Sequence, residues 1–84
     1  MKHYPIVEVE WVDSVSEGGW RKPAAYLEHI APDRCRTVGY LLKSNRTLVT
    51  VFQSLSDNTG NVTDSITIPR AAVKSMKRLT EKKK

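Results

Sequence analysis

RTVGYLLKSNRTLVTVFQS, residues 36–54, reads as two β-strands joined by a tight turn. Within 36–42, Val38, Tyr40 and Leu42 fall on one side and Thr37, Gly39 and Leu41 on the other. That period of two is what a half-buried strand requires. Ser44-Asn45-Arg46 turns the chain, and 47–54 is rich in Val, Thr and Phe, which pack well on a pleated surface. So short a turn between two such runs marks a hairpin.

Upstream, residues 6–12 alternate as well, with Val7, Val9 and Trp11 on one face and Glu8 and Glu10 on the other. Ser16-Glu17-Gly18-Gly19 ends this run, because glycine permits turns that other residues resist. Residues 21–30 form the one helix-like piece. Pro23 suits a first helical turn, Ala24, Ala25, Leu27 and Glu28 favour helix, and Tyr26 and Ile30 would share a face. Pro32 stops it, and about two turns are marginal unless docked. Downstream, Asp57-Asn58-Thr59-Gly60-Asn61 is a turn, and 62–68 is a fourth strand with Ile66 and Ile68 inward. After Pro69-Arg70-Ala71-Ala72, the spacing of Val73, Met76 and Leu79 admits a short helix or a helical turn leading into a last strand. The tight Ile-Pro-x-x-x-Val-x-x-Met linkage favours a 3-10 turn between two strands. The expected fold is mainly β: a small five-stranded SH3-like or Sm-like barrel, with a short helix between strands 1 and 2 and a 3-10 turn before the last strand. An α+β sandwich with one docked helix is the competing architecture.

With 84 residues the chain makes a single domain, expected over 1–80, with 81–84 a disordered lysine-rich tail. A domain of this size has a thin core, and self-association is the expected source of further stability. Cys35 is the lone cysteine, which argues against a disulfide framework and fits a reducing compartment. The N-terminal residues show no apolar run after their charge, so no signal peptide is expected, and no window approaches the ~18 apolar residues of a membrane span. The net charge is +5, and residues 74–84 carry all of it: six basic side chains against Glu81. The preceding 73 residues balance eight basic groups against eight acidic. A neutral domain lacks the basic face of a typical nucleic-acid binder, and a lysine end is by itself a solubilising feature.

Catalysis finds little support. His29, Asp33 and Cys35 lie close in sequence, but catalytic partners ordinarily converge from separate elements. Cys35, just before a strand, is well placed to pack as a small apolar residue. One cysteine and two histidines do not make a closed zinc site, so no catalytic residue, metal or cofactor is expected.

A binding surface is better supported. Trp11-Val12-Asp13-Ser14 and Gly18-Gly19-Trp20 put two indoles, an acid, a hydroxyl and a glycine pair within ten residues. Trp11 shares the face of Val7 and Val9 and reads as core. Gly19, Trp20, Arg21 and Lys22 set flexible backbone, an indole and two cations side by side: amides and cations hold a phosphate, and an indole stacks on a base. Asp13 and Ser14 could meet a ligand's base edge or ribose hydroxyl, or could satisfy the loop's own amides. Tyr26 adds an aromatic, Arg34 and Arg36 extend a basic rim, and Arg70 stands on the turn before the last strand. In the bland alternative the glycines make a turn, Trp20 caps the thin core and the cations are solvated.

The composite of Val9-Glu10-Trp11-Val12-Asp13-Ser14, Gly18-Gly19-Trp20, Tyr26-Leu27-Glu28-His29-Ile30, Cys35-Arg36-Thr37-Val38-Gly39-Tyr40-Leu41 and Ser65-Ile66-Thr67-Ile68-Pro69-Arg70 resembles a family of small uncharacterised bacteriophage proteins, from about Val7 to Leu79. The resemblance carries no catalytic residues. It implies a setting, the cytoplasm of an infected bacterium, where phages express small accessory proteins, some of them oligomers that sequester the nucleotide signals of host defence. The strand order and the Ile68-Pro69-x-x-x-Val73 ending also resemble, more loosely, Sm-like barrels such as the bacterial Sm-like RNA chaperone. This chain lacks that family's N-terminal helix and carries 20–33 as an extra segment. The expectation is a non-enzymatic anti-defence protein that sequesters a nucleotide-derived small molecule as a homo-oligomer. The alternatives are an Sm-like nucleic-acid-binding module and an inhibitor that docks Trp11, Trp20 and Tyr26 on a host protein; no membrane is involved.

Overall fold

The computed structural model describes residues 3–16, 18–28 and 30–80. The strands are β1 (Ile6–Asp13), β2 (Asp33–Ser44), β3 (Leu48–Leu55), β4 (Val62–Pro69) and β5 (Val73–Leu79). One helical turn, α1 (Pro23–Leu27), lies between β1 and β2, and a 3-10 turn, Arg70–Ala72, joins β4 to β5. All neighbours run antiparallel in one five-stranded sheet of order β4-β3-β2-β1-β5. The mainly β expectation therefore holds, along with the one-turn connector before the last strand. Residues 81–84 and His29 lie outside the described residues.

The register forces this sheet to curl. Leu79, Ile6, Tyr40, Phe52 and Ser65 lie in one row across the strands. From that row β4 runs one way to Pro69, while β5 begins at Val73 beyond the opposite end, beside Trp11. On a flat sheet Pro69 and Val73 would lie roughly 35–40 Å apart. Three intervening residues span at most about 15 Å. The 3-10 turn accordingly touches both β1 and β3, which are not neighbours in the sheet.

Local features place the bends. Gly39 sits in β2 where a Cβ would meet the Phe52 carbonyl oxygen at 2.8 Å, so only glycine lets β2 come this near β3. Lys74 and Leu42 are the extra residues at the register shifts of β5 on β1 and of β2 on β3. Bulges of this kind increase bend and twist. Asp64 in β4 takes a left-handed φ of 55°, which Asp tolerates better than most residues.

Curling brings Val7 and Val9 of β1 against Val49 and Val51 of β3 and Ile68 of β4, with Trp11, Leu41, Ile66, Ala72, Val73 and Met76 packed around them. Ile66 and Ile68 thus face inward as expected. In β2 the less apolar side, with Thr37, Gly39 and Leu41, turns toward this core, and Val38 and Leu42 are exposed. A second aromatic cluster holds the other face. Phe52 is fully buried there, stacked on Tyr40 at 5.3 Å and met edge-on by Tyr4 at 5.1 Å.

Two sequence expectations need correction. Helix over 21–30 shrinks to Pro23–Leu27, with no side-chain cap and no buried residue. A two-turn helix without a docking partner does not hold its ends. Strand β2 begins at Asp33 rather than Arg36, because it pairs with β1 along all of Ile6–Asp13; Cys35 therefore lies inside the strand, opposite Trp11.

Candidate functional site

Residues 14–32 join β1 to β2 at the end of a ribbon. Trp11 still has β5 beside it, through Val73; Val12 and Asp13 have only β2, through Arg34 and Asp33. Trp11 is half-buried against the core, and its indole N–H donates to the Thr37 hydroxyl at 2.9 Å. That satisfies its one donor inside the fold and removes it from the ligand surface.

Asp13 is engaged locally: its Oδ1 accepts the backbone N–H of Ser14 at 2.8 Å. This is the structural alternative, an acid satisfying a loop amide. Asp33 stands directly opposite Asp13 across the ribbon. Like charges in such a pair repel and give this mouth an acidic rim. Cys35 feels it: cover over its thiol pushes the pKa up first, the Asp33 and Asp13 charges add to this, and the thiol also lies 3.9 Å from the Asp33 carboxylate. Alkylation of the folded protein should therefore need a higher pH than alkylation of the same thiol in urea. Asp33→Asn should narrow the gap between the two rate profiles without closing it; a wild-type folded-state midpoint at or below the urea value would contradict this.

Beyond the mouth the loop builds a small platform. Gly19 takes a φ of 98°, open to glycine and costly for other residues, and its carbonyl accepts the Tyr26 hydroxyl from α1. The Arg21 guanidinium lies over the Tyr26 ring, 5.8 Å from its centroid. Between them Trp20 is fully exposed, at 104% of its reference area, and Lys22 is exposed beside it. Trp20 therefore does not cap the core. Gly19, Arg21 and Tyr26 are brought into contact, with Trp20 and Lys22 standing on the same short turn.

The remaining candidates lie elsewhere. Arg36 is exposed on the outer face of the sheet opposite Glu10, while Arg34 pairs with the Glu10 carboxylate at 3.4 Å. Arg70, on the 3-10 turn, is tied to the β2–β3 turn: its Nη1 donates to Ser44 Oγ at 3.1 Å and its backbone N–H to the Thr47 carbonyl at 2.9 Å. The Asn45 side chain accepts from the Thr47 and Leu48 amides and from the Thr47 hydroxyl, which stiffens this turn. Lys43 and Arg46 flank it, and sequence reasoning passed over both. Among the described residues no carboxylate pairs with Lys43, Arg46 or Arg70. The signal was in the cations Lys43 and Arg46, one just before and one within Ser44-Asn45-Arg46, a stretch that reads only as a turn. Val15, Leu27 and Ile30 were likewise passed over as exposed groups, and all three stand in solvent.

Among the described residues no three His, Cys, Asp or Glu side chains gather as metal ligands, and no helix is long and apolar enough to cross a membrane. No family model, curated protein or solved structure matches this chain.

Proposed function

We propose that this chain is a phage-encoded, non-enzymatic binding protein that sequesters a nucleotide-type ligand as an oligomer in the cytoplasm of an infected bacterium. The curled sheet is, in this reading, a barrel of the SH3-like or Sm-like kind that serves as the scaffold. The observation that carries the ligand is the exposed Trp20 on a turn held by Gly19, Arg21 and Tyr26. A base stacks on the free indole face. Lys22, with Arg21 and the backbone amides of 18–19, faces the phosphate. The acidic mouth at Asp13 and Asp33 directs the anionic end of the ligand away from the ribbon and toward these cations. The phage setting and the anti-defence role rest on the sequence resemblance.

Isothermal titration against cyclic dinucleotides and ADP-ribose derivatives tests the proposal. One member should bind, and Trp20→Ala should weaken it by roughly 10- to 100-fold, the range of one base–aromatic stack. No heat with any member of the panel would reject it.

A second reading, an Sm-like nucleic-acid-binding module, draws on Lys43, Arg46 and Arg70 around the stiff β2–β3 turn. It requires binding to a single-stranded oligonucleotide that weakens steeply with salt and weakens further in Arg46→Ala and Arg70→Ala.

A further inference from the structure

We infer that Val15, Trp20, Leu27 and Ile30 of the β1–β2 arm of one protomer are covered by the same residues of a second copy of this chain, the two related by a two-fold axis. This names the surface and partner of the oligomer in the proposed function, and it stands on the arm rather than on the ligand.

Four apolar side chains of the arm among the described residues have no cover of their own. Val15 is 49% exposed, Leu27 65%, Ile30 66% and Trp20 entirely, while α1 buries nothing. Tyr26 bonded to Gly19, Arg21 over Tyr26 and the Ala25 amide on the Lys22 carbonyl are tethers that lie within the arm. An unsupported single turn of helix is unstable in water, and a two-stranded ribbon is marginal without packing. The ribbon here is also bare: from Asp33 to Gly39, β2 has β1 beside it and no strand on its other edge. The chain as a whole is elongated. The radius of gyration is 17.2 Å and the longest extent 56 Å, against a radius of about 12 Å for a compact chain of this length.

Charge and area point to a second copy as the cover. Lys22 stands at the start of α1 and Glu28 at its end, and among the described residues neither has an ion-pair partner within the protomer. A two-fold axis perpendicular to α1 runs the two turns antiparallel, which sets Lys22 beside the partner's Glu28 twice over; an axis along α1 would make them parallel and oppose like charges. Trp20 offers on the order of 250 Å² in all, one ring face lying against the partner and the other staying open to the proposed base. That one face is about a sixth of the ~800 Å² each partner of a standard interface buries. Leu27, Ile30, Val15 and the prolines at 23 and 32 are the further exposed apolar groups of this stretch.

Sedimentation equilibrium of the full chain at about 10–100 μM, with thermal melts on every sample, tests this. The wild-type chain should sediment at twice its 9.5 kDa mass or an even multiple of it. The double variant Leu27→Asp/Ile30→Asp should dissociate at least about 100-fold more readily while keeping a cooperative melt, because neither side chain is in the core. Lys22→Glu and Glu28→Lys should each weaken assembly by about 10-fold, and combining them should restore it. A monomeric wild-type chain at 100 μM, an assembly indifferent to Leu27→Asp/Ile30→Asp, or a charge-swapped double no better than the singles would overturn the inference. Titrating the nucleotide panel into the same wild-type sample separates the two ideas. An assembled protein that binds no nucleotide overturns the proposed ligand and leaves the interface standing.

Discussion

Phe52→Ala is expected to destabilise the fold by about 3–5 kcal/mol. Phe52 has no solvent exposure, yet it lies outside the aliphatic core, on the sheet's other face between the rings of Tyr40 and Tyr4. Removing it empties the centre of that cluster and leaves both tyrosines without a partner. A chain of this length holds only about 4–13 kcal/mol in total. The loss is thus a large share, and at roughly 4–8 °C per kcal/mol the melting temperature should fall by about 12–40 °C. Tyr40→Phe keeps the ring and the stack and should cost under about 1 kcal/mol. Urea melts of the three proteins, followed by circular dichroism, would show it. A Phe52→Ala midpoint close to that of the parent would mean that the outer cluster is not holding the sheet.

Gly39→Ala is the second large effect, and it acts at the same bend. The new methyl would lie 2.8 Å from the Phe52 carbonyl oxygen and 3.4 Å from the Val51 Cβ. The first is backbone within a paired strand and cannot swing aside, so β2 must move off β3. Overpacking of this kind costs about 1–3 kcal/mol, and the fixed backbone carbonyl places Gly39→Ala at the upper end, a drop of roughly 10–20 °C. Gly18→Ala is the control. No atom lies within 4 Å of that Cβ, so it should be neutral or raise the melting temperature slightly, by restricting the unfolded chain. Equal melting temperatures for the two variants would remove Gly39 from its role at the bend.

The two effects show where the sequence was legible and where it was not. Val7, Val9 and Trp11 alternate with glutamates, so their shared face could be read from period two alone. In 36–42 both sides carry apolar residues, and the more apolar side, with Val38 and Leu42, is the one that mostly faces solvent. Alternation separates two faces without saying which is inside. That is decided by the pairing of Gly39 with Val7 and of Leu41 with Val51, contacts between residues far apart in sequence. Phe52 was visible as an aromatic in a strand, but its burial depends on Tyr4, which reaches it across 48 positions.

The loop divides in the same way. Gly18-Gly19-Trp20-Arg21-Lys22 stood out by residue type, and Gly19 does adopt the backbone that glycine permits. Whether Trp20 closed the core or faced solvent could not be read locally, since either place suits an indole. Trp20 stands free because β1 and β2 carry the loop past the start of β5, beyond reach of the core. Arg70 and Lys22 were gathered into one candidate set by charge, and topology sends them to different turns.

By itself, then, the sequence determined five strands, their punctuation and the one-turn connector, because these follow from period two, turn residues and proline. Tertiary structure alone decided which face of β2 is inside, that a second cluster buries Phe52, and that the β1–β2 arm leaves Trp20, Leu27 and Ile30 uncovered. Those outcomes depend on how a curled sheet brings distant residues together, and no local pattern encodes that distance.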